Sequence, residues 1–135
     1  MVWQTHVRNG AFSTAERTWL PVPAEHLTHA VDTQDKIEGS VLEFYRAMLA
    51  FRKANPALAK GEITLLDAAE TVLAFTRDYG NERLLCVFNM SETAAEFRVP
   101  AGMTAHGLDC PGVIAAPIDG EIDLEPFGSY IGRLE

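Results

Sequence analysis

Beyond Gly61 the apolar residues of this chain stop recurring at the helical interval and alternate instead, in short runs separated by turn signals. A period of two in segments rich in branched and aromatic residues specifies strands that bury one face. The runs are 62–66, 72–78, 83–89, 94–99, 103–108, 121–124 and 129–134, with a weak one near 113–115. Tyr79-Gly80-Asn81-Glu82 suits a hairpin, since Gly80 or Asn81 can take positive φ. Glu96 and Arg98 alternate with Ala95, Phe97 and Val99, as in a strand with one face in water. No helical run interrupts the series, so the pattern predicts an antiparallel sandwich or barrel. Phe75, Phe88, Phe97, Phe127 and Tyr130 fall at strand positions where a core accounts for them more simply than an exposed aromatic platform does.

Before Gly61 the signals are different. Ser40 and Glu43 form an S-x-x-E capping box, and Val41, Phe44, Tyr45, Met48 and Leu49 recur at i, i+3, i+4, i+7 and i+8. The spacing predicts a helix over about 41–54 with one buried stripe. Arg52 and Lys53 suit its negative end, and Asn55-Pro56 stops it, because the residue before a proline is pushed out of the helical region. Residues 1–39 read as coil; 24–31, following Pro23, could form two helical turns with a thin apolar face. The opening stretch MVWQTHVRNGAFS carries a Trp, a Phe and two Val at neither period, so it needs a surface to lie against.

With 135 residues, 47% hydrophobic residues and a net charge of −8, the chain has the make-up of one acidic globular domain. Its Lys and Arg never cluster into a phosphate-neutralising run, so nucleic acid is not an expected partner. No apolar run approaches the ~20 residues a bilayer needs, and no secretory leader is visible; neither a membrane nor export is expected, and the location is read as cytoplasmic. Cys86 and Cys110 are expected to be reduced, buried thiols, and neither belongs to a CxxC pair. His26 and His29 lack a third ligand, and Asp32, Asp35 and Glu38 lack the order of a calcium loop, so neither a metal nor another cofactor is expected.

Several stretches resemble the C-terminal end of bacterial alpha-glucosidases of the alpha-amylase superfamily, glycoside hydrolase family 13. Met1-Val2-Trp3 is similar to the family's Pro-Met-x-Trp loop, and Asn9-Gly10-Ala11-Phe12-Ser13 to its Asn-Ala-Gly-Phe-Ser stretch with Gly and Ala exchanged. Trp19-Leu20-Pro21-Val22 matches as well. The strongest likeness runs from Phe44 through Asn55-Pro56-Ala57-Leu58, where the L-x-x-R-x-x-N-P-A-L pattern is intact. Val72-Leu73-Ala74-Phe75-Thr76-Arg77 and Leu84-Leu85-Cys86-Val87-Phe88-Asn89-Met90-Ser91 resemble the strands that begin the family's β domain.

This resemblance implies a mainly β fold with an N-terminal α-helix: an antiparallel β-sandwich of alpha-amylase type over 61–135, preceded in 1–60 by the last loop and last helix of a (β/α)8 barrel. It also implies that residues 23–34 are largely irregular. The loop would lie on the barrel's C-terminal face, where such barrels carry their active sites. A retaining glycosidase needs two carboxylates about 5 to 5.5 Å apart. The Gly-x-Arg-x-Asp and Asn-His-Asp stretches that would supply the family's carboxylates are not in this sequence, so no catalytic residue is assigned. Trp3 and Phe12 are the candidate substrate-binding residues of an intact enzyme, since a flat aromatic face can stack on a sugar or wall off its pocket.

The expected role is a catalytically silent, structural portion of a retaining alpha-glucosidase, partnered by the catalytic barrel. The alternatives are an independent carbohydrate-binding module, or an assembly or regulatory domain presenting the helix stripe. Torn from a barrel, Phe44, Tyr45, Met48, Leu49 and Phe51 would be exposed and would favour self-association or a re-docked helix.

Overall fold

The computed structural model describes residues 1–113 and 117–135. The described residues divide into two compact units, Met1–Ala47 and Met48–Glu135.

The second unit is built on a five-stranded antiparallel sheet and a two-stranded one. The strands are β1 Glu62–Leu65, β2 Val72–Tyr79, β3 Glu82–Asn89, β4 Ala95–Arg98, β5 Ala105–Gly107, β6 Glu121–Leu124 and β7 Ser129–Leu134. Their order is β1-β2-β3-β7-β5 in the larger sheet and β4-β6 in the smaller. Each strand expected from the period of two is present, β2 and β3 one residue longer than expected and β1, β4 and β5 shorter, apart from the weak one near 113–115, of which residues 114 and 115 lie outside the described residues. Gly80, at φ 63°, makes the two-residue turn between Tyr79 and Glu82, and Asn81 stays at negative φ.

Leu84-Leu85-Cys86-Val87 of β3 is buried on both faces, so its alternate residues enter two cores. Leu85 and Val87 join Val72, Ala74, Phe97, Ile122, Leu124 and Tyr130 between the sheets. Leu84 and Cys86 join Ala57, Leu58, Cys110 and Ile131 on the opposite face. Phe75 and Phe88 are half-buried beside that second core, stacked with centroids 6.0 Å apart. Phe127 departs from expectation: it is 68% exposed at φ 56°, the third residue of a Glu125-Pro126-Phe127-Gly128 turn closed by Gly128 N–H donating to the Glu125 carbonyl (2.7 Å). The turn geometry, not the strand period, decides where that ring points.

Burial pushes the Cys86 thiol up to about 12 and raises that of Cys110; both cysteines are free, and the Cys110 sulfur lies 3.8 Å from that of Met48.

The main helix, α3, spans Val41–Ala54; two one-turn helices precede it, α1 Ala24–Leu27 and α2 Val31–Gln34. The pair corrects both expectations for this stretch, which is neither irregular nor one continuous helix: Ala30 adopts extended angles (φ −63°, ψ 155°) and separates them. The capping box is half made. Ser40 Oγ accepts the Glu43 N–H (3.2 Å), but the Glu43 carboxylate turns to the Lys36 N–H (3.0 Å) and to Arg46 (2.5 Å).

The stripe on α3 has no surface against it in this chain, as expected of a helix parted from a barrel, and no residue of the helix is buried. Val41, Phe44, Tyr45 and Leu49 are exposed, and only Met48 and Phe51, in the second unit, are half-buried, against the core that contains Ala57 and Leu58. Asn55, at φ −112°, ends the helix, and Pro56 opens a short helix, α4 (Pro56–Lys60). Two guanidiniums converge on that helix's carbonyls: Arg52 donates to Leu58 O (2.5 Å), and Arg77 to Leu58 O (2.9 Å) and Ala57 O (3.1 Å). The R-x-x-N-P-A-L pattern is therefore a corner, with arginines at the negative end of a helix and Ala57 and Leu58 plugged into the core.

Candidate functional site

Within Met1–Ala47 the chain is organised by polar contacts more than by a core; only Val2, Gly10 and Ala30 are buried. Two backbone bonds bring its start onto α2, Val31 N–H to Val2 O and Asp32 N–H to Trp3 O, both 3.1 Å. The Asp32 carboxylate accepts the Thr5 N–H (2.9 Å) and the Thr5 hydroxyl (2.8 Å). These bonds, the backbone one foremost, hold Asp32 below the usual carboxylate range. Asp35 pairs with Arg46 at 2.6 Å, and with Glu43 it raises the arginine's pKa. Two of the three carboxylates in the acidic cluster are thus engaged by their own unit, and the described residues contain no group of three or more His, Cys, Asp or Glu placed to hold a metal.

The turn at 8–11 has an unusual backbone. Asn9, Gly10 and Ala11 are all left-handed, with φ of 55°, 60° and 59°. Asn9 is tied down by its side-chain amide, which donates to Ala15 O (2.7 Å). From this turn Phe12 reaches an open depression of about 600 Å³. Met1, Trp19, Leu20, His26 and His29 also line it, and no carboxylate does. Trp3 is not among its lining residues; the backbone links it to the same turn, through its N–H to Gly10 O (2.8 Å). Trp3 and Phe12 are each about half exposed, and Trp19 is 96% exposed.

A depression of apolar walls and two imidazoles can receive an apolar or sugar face, but it cannot supply the paired carboxylates of glycoside hydrolysis. Trp19 and Leu20 carry no assigned role in the sequence reading. A Trp-Leu-Pro segment that follows the polar run Glu16-Arg17-Thr18 is the signal that could have found them.

Comparison with known proteins gives this geometry its context. Residues 1–61 match the family model described as "Alpha amylase, catalytic domain", and residues 63–131 the one described as "Maltogenic Amylase, C-terminal domain". A "Probable alpha-glucosidase" of Rhizobium meliloti is 42% identical over 99% of this chain and 24% of its own length. A "Glucan 1,6-alpha-glucosidase" of Streptococcus dysgalactiae subsp. equisimilis is 31% identical over 72% of this chain and 18% of its own. The crystal structure of an alpha-glucosyl transfer enzyme, XgtA, superposes with a TM-score of 0.88 at 34% identity, covering 100% of this chain and 25% of that one. An isomaltulose synthase of Klebsiella sp. LX3 superposes with a TM-score of 0.81 at 28% identity, over 99% and 24%. The chain spans a quarter or less of the length of each of these proteins. The order of strands, the corner at Asn55-Pro56 and these matches lead to one conclusion: the chain belongs to the alpha-amylase superfamily, glycoside hydrolase family 13, and corresponds to the C-terminal portion of its alpha-glucosidase-like members.

Proposed function

We propose that this chain is the C-terminal portion of a cytoplasmic retaining alpha-glucosidase acting on α-linked gluco-oligosaccharides, structural in role and catalytically silent by itself. In this reading residues 1–60 are the barrel's last active-site-face loop and final helix, and 61–135 are its C-terminal β domain. The catalytic barrel is the partner that supplies both carboxylates. Trp3 and Phe12 face the sugar, where a rigid ring excludes water and stacks on the apolar side of a pyranose.

The observation that carries the reading is the open stripe of α3. Val41, Phe44, Tyr45 and Leu49 are exposed on a helix whose pattern specifies burial, and covering one such side chain is worth roughly 1.5–3 kcal/mol. A barrel is the surface that such a helix fits; without it, the stripe drives copies of the chain together. The names of the relatives support the substrate class, and the two free, buried cysteines support a reducing compartment.

The test is hydrolysis of an aryl α-glucoside by the purified chain, alone and mixed with a separately produced barrel. The expected outcome is no turnover above background alone, and turnover only with the barrel present. Turnover by the chain alone would refute catalytic silence, and a strictly monomeric, highly soluble chain would count against the torn interface.

A further inference from the structure

We propose that the groove beside the hairpin of β2 and β3 is a sugar-binding site of the β domain, with the Tyr79 ring as its platform, Arg133 and Glu82 as its hydrogen-bonding pair, and an α-linked gluco-oligosaccharide as its ligand. The class of sugar rests on the reading above. The site itself lies wholly within Met48–Glu135 and uses neither Trp3 nor Phe12.

The strand register builds it. Gly80, in the left-handed region, closes a two-residue turn that sets Tyr79 across from Glu82. Arg133 is paired with Leu84, two residues along β3 from Glu82, and side chains two apart on a strand share a face. Tyr79, Glu82 and Arg133 therefore stand in a row on one face of three neighbouring strands, β2, β3 and β7. Two strand spacings make that row roughly 10 Å long, enough for a disaccharide. It borders an open groove of about 530 Å³, whose other walls include Pro56, Asn81 and Arg83.

The lining suits a neutral polyol better than an ion. Tyr79 is 45% exposed, and the Lys60 ammonium stands 6.0 Å from its ring centroid, where a cation–π contact steadies the ring. A half-exposed ring can stack on the apolar C–H face of a pyranose. Arg133 Nη2 donates to Glu82 Oε1 across 3.4 Å, a long bond that takes one of the guanidinium's five N–H donors. An ion pair so exposed stabilises a fold little, which leaves both partners available to a ligand. Guanidinium donors beside carboxylate acceptors match the paired hydroxyls of a sugar, each of which both donates and accepts. Glu82 offsets the charge of Arg133 and Asp78 that of Arg83, so no excess of positive charge draws an anion.

The experiment titrates the full 135-residue chain with maltotetraose by calorimetry, recording tryptophan fluorescence and thermal unfolding on the same samples. Trp3 and Trp19 lie in the first unit, so binding at the groove is expected to give heat without a change in fluorescence. Tyr79→Ala is expected to weaken binding about tenfold, and Tyr79→Phe, which keeps the ring, to recover most of that loss. Arg133→Lys, which keeps the charge but not the planar fork, is expected to weaken binding about 3- to 10-fold at unchanged Tm; it decides the matter if Tyr79→Ala fails to fold. Inorganic phosphate is expected not to compete. The proposal is overturned if maltotetraose does not bind, if Tyr79→Ala and Arg133→Lys bind it as the parent does, or if phosphate displaces it in an Arg133-dependent way. Binding that alters tryptophan fluorescence and ignores Tyr79→Ala would put the sugar on the first unit, which overturns this proposal and leaves the reading above standing. Groove binding by a chain that restores no turnover to the barrel would do the reverse.

Discussion

The two units of this chain are held together by different physics. Met48–Glu135 has two apolar cores with β3 between them, and Leu84, Leu85, Val87, Ile122 and Tyr130 are wholly removed from water. Met1–Ala47 buries little beyond Val2, Gly10 and Ala30 and is organised by hydrogen bonds such as Thr5 to the Asp32 carboxylate and the Asn9 amide to the Ala15 carbonyl. Apolar burial accumulates residue by residue and needs no outside help, whereas solvent competes for every exposed hydrogen bond. The first unit has the sequence of something that is to be covered, and the second that of something able to close on itself.

The contrast can be broken most forcefully at Leu85, which is 0% exposed between the sheets. Leu85→Ala should cost about 2–5 kcal/mol through lost transfer energy and the cavity left behind. Both tryptophans, Trp3 and Trp19, lie in the first unit, so their fluorescence reports on it alone, while far-UV circular dichroism is dominated by the sheets. The expected result in urea is that the dichroism transition moves to lower denaturant and the fluorescence transition does not. Coincident transitions moving together would show one cooperative body and end the distinction.

A smaller effect is expected at Gly61, which joins α4 to β1. Its φ is an ordinary −64°, so it is not required for conformational freedom. It is required for room: an added Cβ would meet Ala57 O at 2.4 Å and Asp78 O at 3.0 Å, both backbone atoms that cannot swing away. Gly61→Ala should therefore destabilise the second unit by about 1–3 kcal/mol, as overpacking does. An unchanged denaturation midpoint would mean that the corner between α4 and the sheet is softer than its contacts indicate.

How much of this was legible beforehand follows the same division. The strands could be read because period-two alternation and turn residues are local signals, and a core closed by the same chain honours them. Phe127 was misread because Pro126 sets up a turn that puts the ring outside, and turn chemistry overrides alternation. The span of α3 was legible from Ser40 and Asn55-Pro56, but its buried stripe was not realised, because periodicity states which face wants burial and not whether a surface is present. The resemblance to the family singled out Trp3 and Phe12, and only coordinates could show that one turn holds both. The depression beside Trp19 was marked in the sequence only by the Trp-Leu-Pro segment, since its walls come from positions 1 to 29 with no common period.

The smallest effect, and the most selective for the first unit, is acid. The folded pKa of Asp32 is lowered by Thr5, so this contribution to stability is present above the unfolded value of about 3.9 and disappears as pH falls through the lower folded value. The carboxylate is exposed and solvent weakens its bonds, which keeps the effect local. Hydrogen exchange at the Thr5 amide is the appropriate measurement, because that N–H is bonded to Asp32 Oδ2 at 2.9 Å. Its protection should fall below the ordinary carboxylate range while the amides of β3 stay protected. Asp32→Asn should give the weaker protection already at neutral pH and abolish the acid dependence. If Thr5 exchanged identically in the variant and the parent at every pH, the bond between them would not be holding the start of the chain, and the polar account of the first unit would have to be abandoned.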